Sequence, residues 1–250
     1  MIPKLKVTSP WGIPLKEGEP RKLAIPEEVL PVFQKLASKY ELEIEKVNVH
    51  GRPYYYLHVA DITPLLTGDP FGAAPEFPFW VKLWEASVIL AEHMANLPTD
   101  DNRTILEIGA GMALPGIVAA SHGHRVTVTD YEEEILDFIR VSAALNGAGE
   151  FIECQKLDWL ETDSLGEFDI IIASEVAFHE RFFQPLMDVL SNHLAPGGVI
   201  FMAHAADRKT LLPFFKLCAQ QFNIGMQKKR FRRGDKDMEI LLTRLKLKGH

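Results

Sequence analysis

The stretch ILEIGAGMALPGIVAASHGHRVTVTDY, residues 105–131, decides the fold of this chain. It opens with a short, mostly apolar run that has the length of a buried strand rather than a helix. Gly109 and Gly111 follow, where the chain can turn sharply and a ligand can approach the backbone. After a helix, a second strand over residues 125–129 ends at Asp130. This β-turn-α-β pattern with an acid after its second strand is typical of sites for adenosine-containing cofactors.

The spacing of this motif favours one class of cofactor. A dinucleotide fingerprint needs a third glycine at the position of Leu114, and leucine disfavours it. Glu107 precedes the first glycine by two residues, and its carboxylate favours a cation over a pyrophosphate. S-adenosylmethionine is cationic, so it is favoured over NAD, whereas Asp130 could bind the ribose of either. A purely structural alternative is a tight turn in which Glu107 is a solvated strand end.

Composition limits the classes of protein that the sequence fits. With 250 residues, 47% of them hydrophobic, the chain can bury one large core with a small N-terminal extension. A net charge of −7 argues against a mainly nucleic-acid-binding surface, although a local basic patch is compatible with it. Cys154 and Cys218 fit a reducing compartment, and the histidine spacing indicates no metal site. Without a signal peptide or an apolar run of membrane-spanning length, we expect a soluble cytoplasmic protein with no membrane partner.

The N-terminal third predicts a separate small layer. Residues 1–26 contain five prolines and no sustained period, so we expect them to be irregular. Residues 27–40 have the spacing of a helix, and residues 41–49 and 53–60 read as a hairpin. The Pro- and Gly-rich residues 61–79 form a loop that is either held on the core by its aromatic side chains or acts as a lid over a cofactor cleft. The aromatic residues that would do so are Phe71, Phe77, Phe79 and Trp80.

From residue 82 onward, helices and strands alternate. The first helix, residues 82–97, is expected to bury Leu83, Leu90 and Met94 and to expose Glu85. Helices are also predicted after Asp130 and over 181–194 and 207–221, and strands over 105–108, 125–129, 151–157, 168–173, 199–203, 224–231 and 238–245. Short right-handed connections turn this order into a Rossmann-like, doubly wound α/β sheet of seven strands. The last two strands, with no helix between them, form an antiparallel hairpin at one edge.

Ligands of such sheets bind beyond the carboxyl ends of the parallel strands. This rule predicts that one edge collects Glu107, Gly109, Asp130, Asp158, Trp159, Ser174 and Glu175. A structural alternative for Glu175 is a solvated acid at a strand end, but its position at the expected ligand edge favours a functional role.

Several blocks of the chain resemble a known family. ILEIGAGMALPG, VTVTDY, FDIIIASEVAF and LAPGG are similar to the motifs of class I, seven-stranded S-adenosylmethionine-dependent methyltransferases. LWEASVILAEHM, the pair Asp158-Trp159 and SEVAFHE resemble, more narrowly, methyltransferase family 16, which contains many protein-lysine methyltransferases. The resemblance spans residues 80–245. It implies a methyltransferase domain over residues 80–250 and leaves residues 1–79 as an N-terminal extension.

The resemblance implies S-adenosylmethionine as the cofactor and a role for each matching residue. Gly109, Ala110 and Gly111 would line its methionine part, and Asp130 would bind its ribose. Trp159 would pack by the adenine, with Ser174 beside the methionine end. Trp84, which the sequence alone predicts to be core, would contact the cofactor. The full predicted set is Trp84, Glu107, Gly109, Ala110, Gly111, Asp130, Tyr131, Asp158, Trp159 and Ser174.

The chain departs from the family where the methyl acceptor binds. The family's D-x-x-Y motif reads Glu175-Val176-Ala177-Phe178 here, so the acid is one methylene longer and the tyrosine hydroxyl is absent. A lysine acceptor must be neutral and collinear with the methyl group. Glu175 could orient its amine, and Phe178 could form an apolar wall. His179 and His204 also lie at strand ends, but we assign them no catalytic role.

Three functions therefore remain open. A protein-lysine methyltransferase, with a protein partner, is favoured. The lost tyrosine and a basic run at residues 228–233, with Lys236 beyond it, keep a small-molecule or RNA methyltransferase as an alternative. The same departures allow a cofactor-binding module without catalysis. The basic run is either a solvated hairpin turn, which we favour, or a docking site for an acidic protein surface or RNA.

Overall fold

The computed structural model describes residues 2–10, 15–66, 78–99, 103–161, 165–233 and 235–249. The N-terminal elements are β1 (Lys4–Thr8), β2 (Lys22–Ala24), α1 (Leu30–Ala37), β3 (Leu42–Val49) and β4 (Arg52–Val59). The following elements are α2 (Glu85–Met94), β5 (Thr104–Glu107), α3 (Leu114–Ser121), β6 (Arg125–Asp130), α4 (Glu133–Leu145), β7 (Ile152–Lys156), β8 (Phe168–Ser174), α5 (Phe183–Asn192), β9 (Leu194–Ala205), α6 (Leu211–Gln221), β10 (Phe222–Arg233) and β11 (Lys236–Leu247).

Seven of the strands form one sheet in the order β10-β11-β9-β8-β5-β6-β7. The strands from β9 to β7 are parallel, whereas β11 pairs antiparallel with both β9 and β10. The predicted Rossmann-like sheet with an antiparallel edge hairpin is thus confirmed. Within the described ranges, no helix combines the length and the apolar character that crossing a membrane requires.

Successive side chains of the central strands fill two different cores. Ile170 and Ile172 of β8 pack with α2, α3 and α4, whereas Ile171 packs with α5 and α6 on the opposite face. Alternate residues of a strand point to opposite faces, so a strand covered on both sides must be apolar throughout. This is why β8 reads as a continuous apolar run.

The N-terminal residues contradict one prediction. Among the described residues of this segment, residues 4–8 and 22–24 are not irregular, because β1 pairs antiparallel with β2 and parallel with β3. Together with β4 they form a four-stranded sheet in the order β2-β1-β3-β4. Pro3, Pro10, Pro20 and Pro26 lie beside the strands instead of inside them, so they leave the ladder intact. A single sequence does not show this pairing, because the partner strand β3 lies more than 30 residues away.

The predicted helix over residues 27–40 and the predicted hairpin over residues 41–60 are present as α1 and as β3 and β4. His50 and Gly51 form the two-residue turn between the strands with φ angles of 49° and 77°, as a type I′ turn requires. The predicted lid over residues 61–79 lies mainly outside the described residues, and so do its aromatic residues Phe71 and Phe77. Phe79, which is described, begins a short 3₁₀ turn and is 60% exposed.

Two further elements differ from their predicted form. The predicted helix over 181–194 was expected to include Leu194 and to be closed by residues 195–198, but all of these residues belong to β9, where Leu194 pairs with Phe168. Glu85 was expected on the exposed face of its helix, but it is buried at the start of α2. An ion pair with Arg233, almost 150 residues later, supplies the charge that makes this burial possible.

Candidate functional site

The loop between β5 and α3, residues 108–113, forms the centre of the site. Gly109, Gly111 and Ala113 all have left-handed backbone angles, with φ of 57°, 53° and 52°. Only glycine adopts this conformation without steric cost. The loop is held against β6, because the Ala110 N–H donates to the Thr129 carbonyl at 3.0 Å. The Thr129 hydroxyl in turn donates to the Glu107 carbonyl at 2.8 Å. We refer to residues 108–113 as the glycine loop.

Asp130, at the end of β6, closes the glycine loop from the side. Its Oδ2 accepts from the Gly111 N–H and its Oδ1 from the Tyr131 N–H, both at 2.8 Å. Burial raises the pKa of Asp130 to about 6, and the two backbone hydrogen bonds oppose that rise. Each carboxylate oxygen has a second lone pair, so both can still accept a hydroxyl. The arrangement fits a vicinal diol such as that of a ribose. Tyr131 beside it is 53% exposed.

Glu107 lies elsewhere than the sequence predicts. It is only 1% exposed, and its Oε2 accepts from the Gly116 N–H of α3 at 2.8 Å. A methyl group at Gly116 would lie 2.3 Å from that oxygen, so the glycine makes room for the acid. The carboxyl is therefore beneath α3 rather than exposed on the edge of the sheet, and it is not a solvated strand end either. Burial, together with the charge of Asp130, raises the pKa of Glu107 to about 8.

Trp159 covers the glycine loop from the opposite side. A Cβ atom at Gly109 would lie 2.9 Å from Cζ2 of Trp159 and 3.0 Å from Cγ1 of Val176. Asp158, just before the indole, accepts from the Leu160 N–H at 3.0 Å and thereby shapes the turn after β7. The structure thus brings the predicted pair Asp158-Trp159 next to the predicted loop.

An aromatic cluster extends from Trp159 towards the position of the D-x-x-Y motif. The ring of Phe182 lies edge-on to Trp159 at 5.9 Å and 5.5 Å from the ring of Phe178, between centroids. Phe178 is 45% exposed, so it presents an apolar face to solvent at this edge of the sheet. Phe182 was not among the predicted site residues, because no local pattern links it to Phe178, which lies outside the 3₁₀ turn at residues 180–182.

The segment leading into α2 borders the glycine loop on its third side. The backbone of Trp80 lies 3.6 Å from where a Cβ atom of Gly111 would be. Trp84 is half-buried; its Nε1 donates to the Phe79 carbonyl at 3.0 Å, and the Lys82 ammonium lies 4.2 Å from its ring. The indole is therefore held near the loop without being part of the deep core.

Glu175 follows β8, directly after Ser174, which pairs with Ala203 of β9. The backbone of Glu175 is left-handed, with φ of 56°, a strained conformation for this residue. Its Oε1 accepts from the Ala205 N–H at 2.7 Å, and its Oε2 forms an ion pair with Arg208. Burial raises the pKa of Glu175, whereas Arg208 lowers it. The carboxylate is thus held back against the loop after β9. The sequence analysis missed Arg208, since nothing local marks a partner 33 residues away.

The remaining polar groups near the edge are structural. His204 is buried, its Nε2 accepts from the Ala177 N–H at 3.4 Å, and burial lowers its pKa to about 3, so it is neutral. His179 caps the turn before α5. Among the described residues, one group could hold a metal ion, formed by Glu43, Glu45 and His58. It lies on β3 and β4, and Glu45 already accepts from the Tyr56 hydroxyl.

The geometry agrees with the comparison to known families. A family model described as lysine methyltransferase matches residues 80–221, more than half of the chain. The chain belongs to methyltransferase family 16. This places it among the class I, S-adenosylmethionine-dependent methyltransferases, as its sequence motifs predict.

Individual relatives of this family-16 chain agree with the assignment. It is 32% identical over 128 residues to the histidine protein methyltransferase 1 homolog of Dictyostelium discoideum, covering 49% of this chain and 41% of that one. It is 31% identical over 127 residues to the protein N-lysine methyltransferase METTL21A of Danio rerio, and the match covers 48% of this chain and 57% of that one. The chain therefore spans about half the length of these curated relatives. Among solved structures, the ribosomal protein L11 methylase from Lactobacillus delbrueckii subsp. bulgaricus is similar, with a TM-score of 0.53, 25% identity and coverage of 72% and 90%.

Proposed function

We propose that this family-16 chain transfers the sulfonium methyl of S-adenosylmethionine to a lysine side chain of a protein. The match of residues 80–221 to the lysine methyltransferase model carries this proposal. The matched residues also include the glycine loop, Asp130 and Glu175. Both relatives described above are named as protein methyltransferases, which supports a protein acceptor. A nucleic-acid acceptor is less favoured because the net charge of the chain is −7.

We assign the cofactor to the edge formed by the glycine loop. Asp130 would hold the ribose hydroxyls, because each of its oxygens keeps a lone pair. The backbone at Gly109, Ala110 and Gly111 would hold the methionine part, with Ser174 and Trp84 at its end. Asp158 and Trp159 would border the adenine, next to Tyr131. Glu107 would act from beneath the loop, through the Gly116 amide.

The acceptor would enter between Glu175 and Phe178. When bound, the cofactor supplies its sulfonium methyl group. The amine lone pair forms the new N–C bond as the S–C bond breaks, which leaves a neutral thioether, and the nitrogen then loses a proton. The apolar ring of Phe178 and its neighbour Phe182 would desolvate the lysine and so lower its pKa towards neutrality. Glu175 would accept a hydrogen bond from the amine, while Arg208 keeps the carboxylate ionised.

We also propose the setting in which this activity occurs. We assign catalysis to residues 80–250 and treat residues 1–79 as the extension that supports them. Cys154 and Cys218 are both free thiols, which is consistent with the cytoplasm as the compartment.

Incubation with methyl-labelled S-adenosylmethionine and a cell lysate tests the proposed function. We expect label in protein that yields N-methyl-lysine on hydrolysis. The matched control is Asp130→Ala, which should lose both cofactor binding in calorimetry and labelling while keeping the circular dichroism of the native chain. Label recovered as methylhistidine would contradict the lysine acceptor. Label in RNA or small solutes would contradict a protein acceptor, and tight cofactor binding without transfer would contradict catalysis.

A further inference from the structure

The hairpin of β10 and β11 extends beyond the sheet at the same edge as the candidate site. β11 pairs with β9 only from Leu245, opposite Ile200, to Ile240, opposite Ala205. Residues 236–239 of β11 and their partners, residues 230–233 of β10, therefore continue past the carboxyl end of β9. This end of the parallel strands is also where the glycine loop and Glu175 lie.

The projecting part of this hairpin is basic, unlike the rest of the chain. Six of the 27 Lys and Arg residues, but only three of the 34 Asp and Glu residues, lie between positions 228 and 239. This segment therefore carries +3, while the rest of the chain carries −10. We refer to residues 228–239 as the basic hairpin. Its exposed cations are Lys228, Lys229, Arg230, Arg232 and Lys236.

A contact at its tip, where Arg233 pairs with Lys236 across the turn, holds the basic hairpin against the start of α2. Arg233 forms an ion pair with the buried Glu85 at the start of α2. Burial raises the pKa of Glu175, and the charge of Glu85 adds to that rise. Phe231 is half-buried and packs against the same core as α2. On the opposite face of β10, Lys228 pairs with Glu239 at 2.9 Å. The hairpin is therefore a supported element and not only a loose turn.

Prevention of pairing between the edge strand β10 and other chains explains the positive charge of the basic hairpin only in part. Charged side chains on an exposed edge prevent pairing with other chains. That role would be served by charges anywhere along β10, yet residues 222–227 of this strand carry none. The cations are confined to the half of β10 that approaches and passes the end of β9. Their distribution thus follows the position of the site and not the length of the edge.

We propose that the basic hairpin docks an acidic surface of the protein that carries the acceptor lysine; this inference rests on the proposed protein acceptor. The net charge of −10 elsewhere repels such a surface, so the hairpin orients it with the acceptor towards Glu175. RNA would also meet the charge requirement, but single-stranded RNA is held by exposed aromatic rings as well. Within the described part of the hairpin the aromatic residue is Phe231, which packs against the core.

A neutralising pair of substitutions tests the docking surface. The test variant is Arg230→Gln with Lys236→Gln, and the matched control is Lys4→Gln with Lys6→Gln on β1, which are equally exposed but belong to the other sheet. The probe is a fluorescein-labelled peptide with one lysine among glutamates, compared with a glutamine-substituted peptide and an oligouridylate. We expect the native chain to bind the acidic peptide and the test variant to bind it about tenfold more weakly, with a shallower salt dependence. The control should bind as the native chain does.

Equal peptide binding by the native chain and the test variant would overturn the docking surface, and so would binding of the oligouridylate alone. This measurement requires no methyl transfer, which keeps it separate from the lysate experiment. If peptide binding depends on the hairpin but the lysate contains no methylated protein, the docking surface stands and the proposed activity fails. If the lysate proteins are methylated by both forms with the same salt dependence, the activity stands and the docking surface fails.

Discussion

Two buried carboxyl groups beneath and beside the glycine loop differ in their charge at neutral pH. Burial raises the pKa of Glu107 to about 8 and that of Asp130 to about 6. In the free protein at pH 7, Glu107 is therefore mainly protonated and Asp130 mainly ionised. The difference has a structural cause, because Asp130 accepts two backbone hydrogen bonds and Glu107 accepts one. The ionised acid is the one to which we assign the ribose hydroxyls.

The substitution Glu107→Gln should change how stability depends on pH. The ordinary pKa of Glu107 is 4.5, so the folded chain binds this proton more tightly than the unfolded chain does. Its contribution to stability is complete below about pH 4.5 and is lost as the pH rises towards about 8. Between about pH 5.5 and about pH 8, the native chain should lose up to about 3 kcal/mol from this group. Glutamine has no proton to lose, so the variant should lose less.

Urea unfolding at the two pH values measures this difference. Asp130 also has a raised pKa and is present in both proteins, so the difference between them reports Glu107 together with its interaction with Asp130. The exposed Glu153→Gln on β7 is the matched control and should retain the pH dependence of the native chain. An identical pH dependence in Glu107→Gln would show that Glu107 is ionised in the folded protein across this range.

At the scale of elements, the end of β8 is joined to the loop after β9 by Glu175 and Arg208. If Glu175 must be ionised to accept from the amine, its pKa sets the acidic limb of the rate profile. Glu175→Ala should keep cofactor binding and lower kcat roughly a hundredfold. Arg208→Gln should move the acidic limb to higher pH, because Arg208 lowers the pKa of Glu175. The exposed neighbour Lys209→Gln is the control and should leave the profile unchanged.

Profiles of kcat against pH, with cofactor affinity measured separately, test this assignment. Full activity in Glu175→Ala would remove Glu175 from the catalytic set. A profile that is unmoved in Arg208→Gln, together with a loss of folded protein, would instead show that the ion pair only joins the two elements.

The sequence predicted elements whose residues carry a local signal, and it missed those that depend on distant partners. β8 was predicted because both of its faces are covered and it is apolar throughout. β1 was missed although Lys4-Leu5-Lys6-Val7 alternates polar and apolar residues, because the prolines near the strand indicated irregular structure. The buried position of Glu85 depends on Arg233, and that of Glu107 on the space left by Gly116. Spacing along the chain shows neither relation. The predicted exposure of Glu85 was therefore wrong, and the burial of Glu107 beneath α3 was not foreseen.

At the scale of the whole molecule, the N-terminal sheet shares its contacts with the helices of the seven-stranded sheet. The Leu57 N–H of β4 donates to the Ser142 hydroxyl of α4 at 3.0 Å. The Tyr55 N–H donates to the Asn146 side chain at 3.0 Å, and the same side chain donates back to the Tyr55 carbonyl. Val47 and Tyr54 also belong to the core that α2 and α3 fill. The two sheets are thus joined by both apolar and polar contacts.

These shared contacts predict that the chain unfolds as one cooperative unit. Asn146→Ala leaves the Tyr55 N–H and carbonyl without their partner, so the free energy of unfolding should fall by about 2 kcal/mol. Hydrogen exchange should show the same loss of protection in β3 and β4 as in β5 and β8, because all four strands open together. The exposed Asn192→Ala at the end of α5 is the control and should change neither quantity. If β3 and β4 lost protection in Asn146→Ala while β5 and β8 kept theirs, the N-terminal sheet would be a separate folding unit and its contacts with α4 would not be needed for the stability of the site.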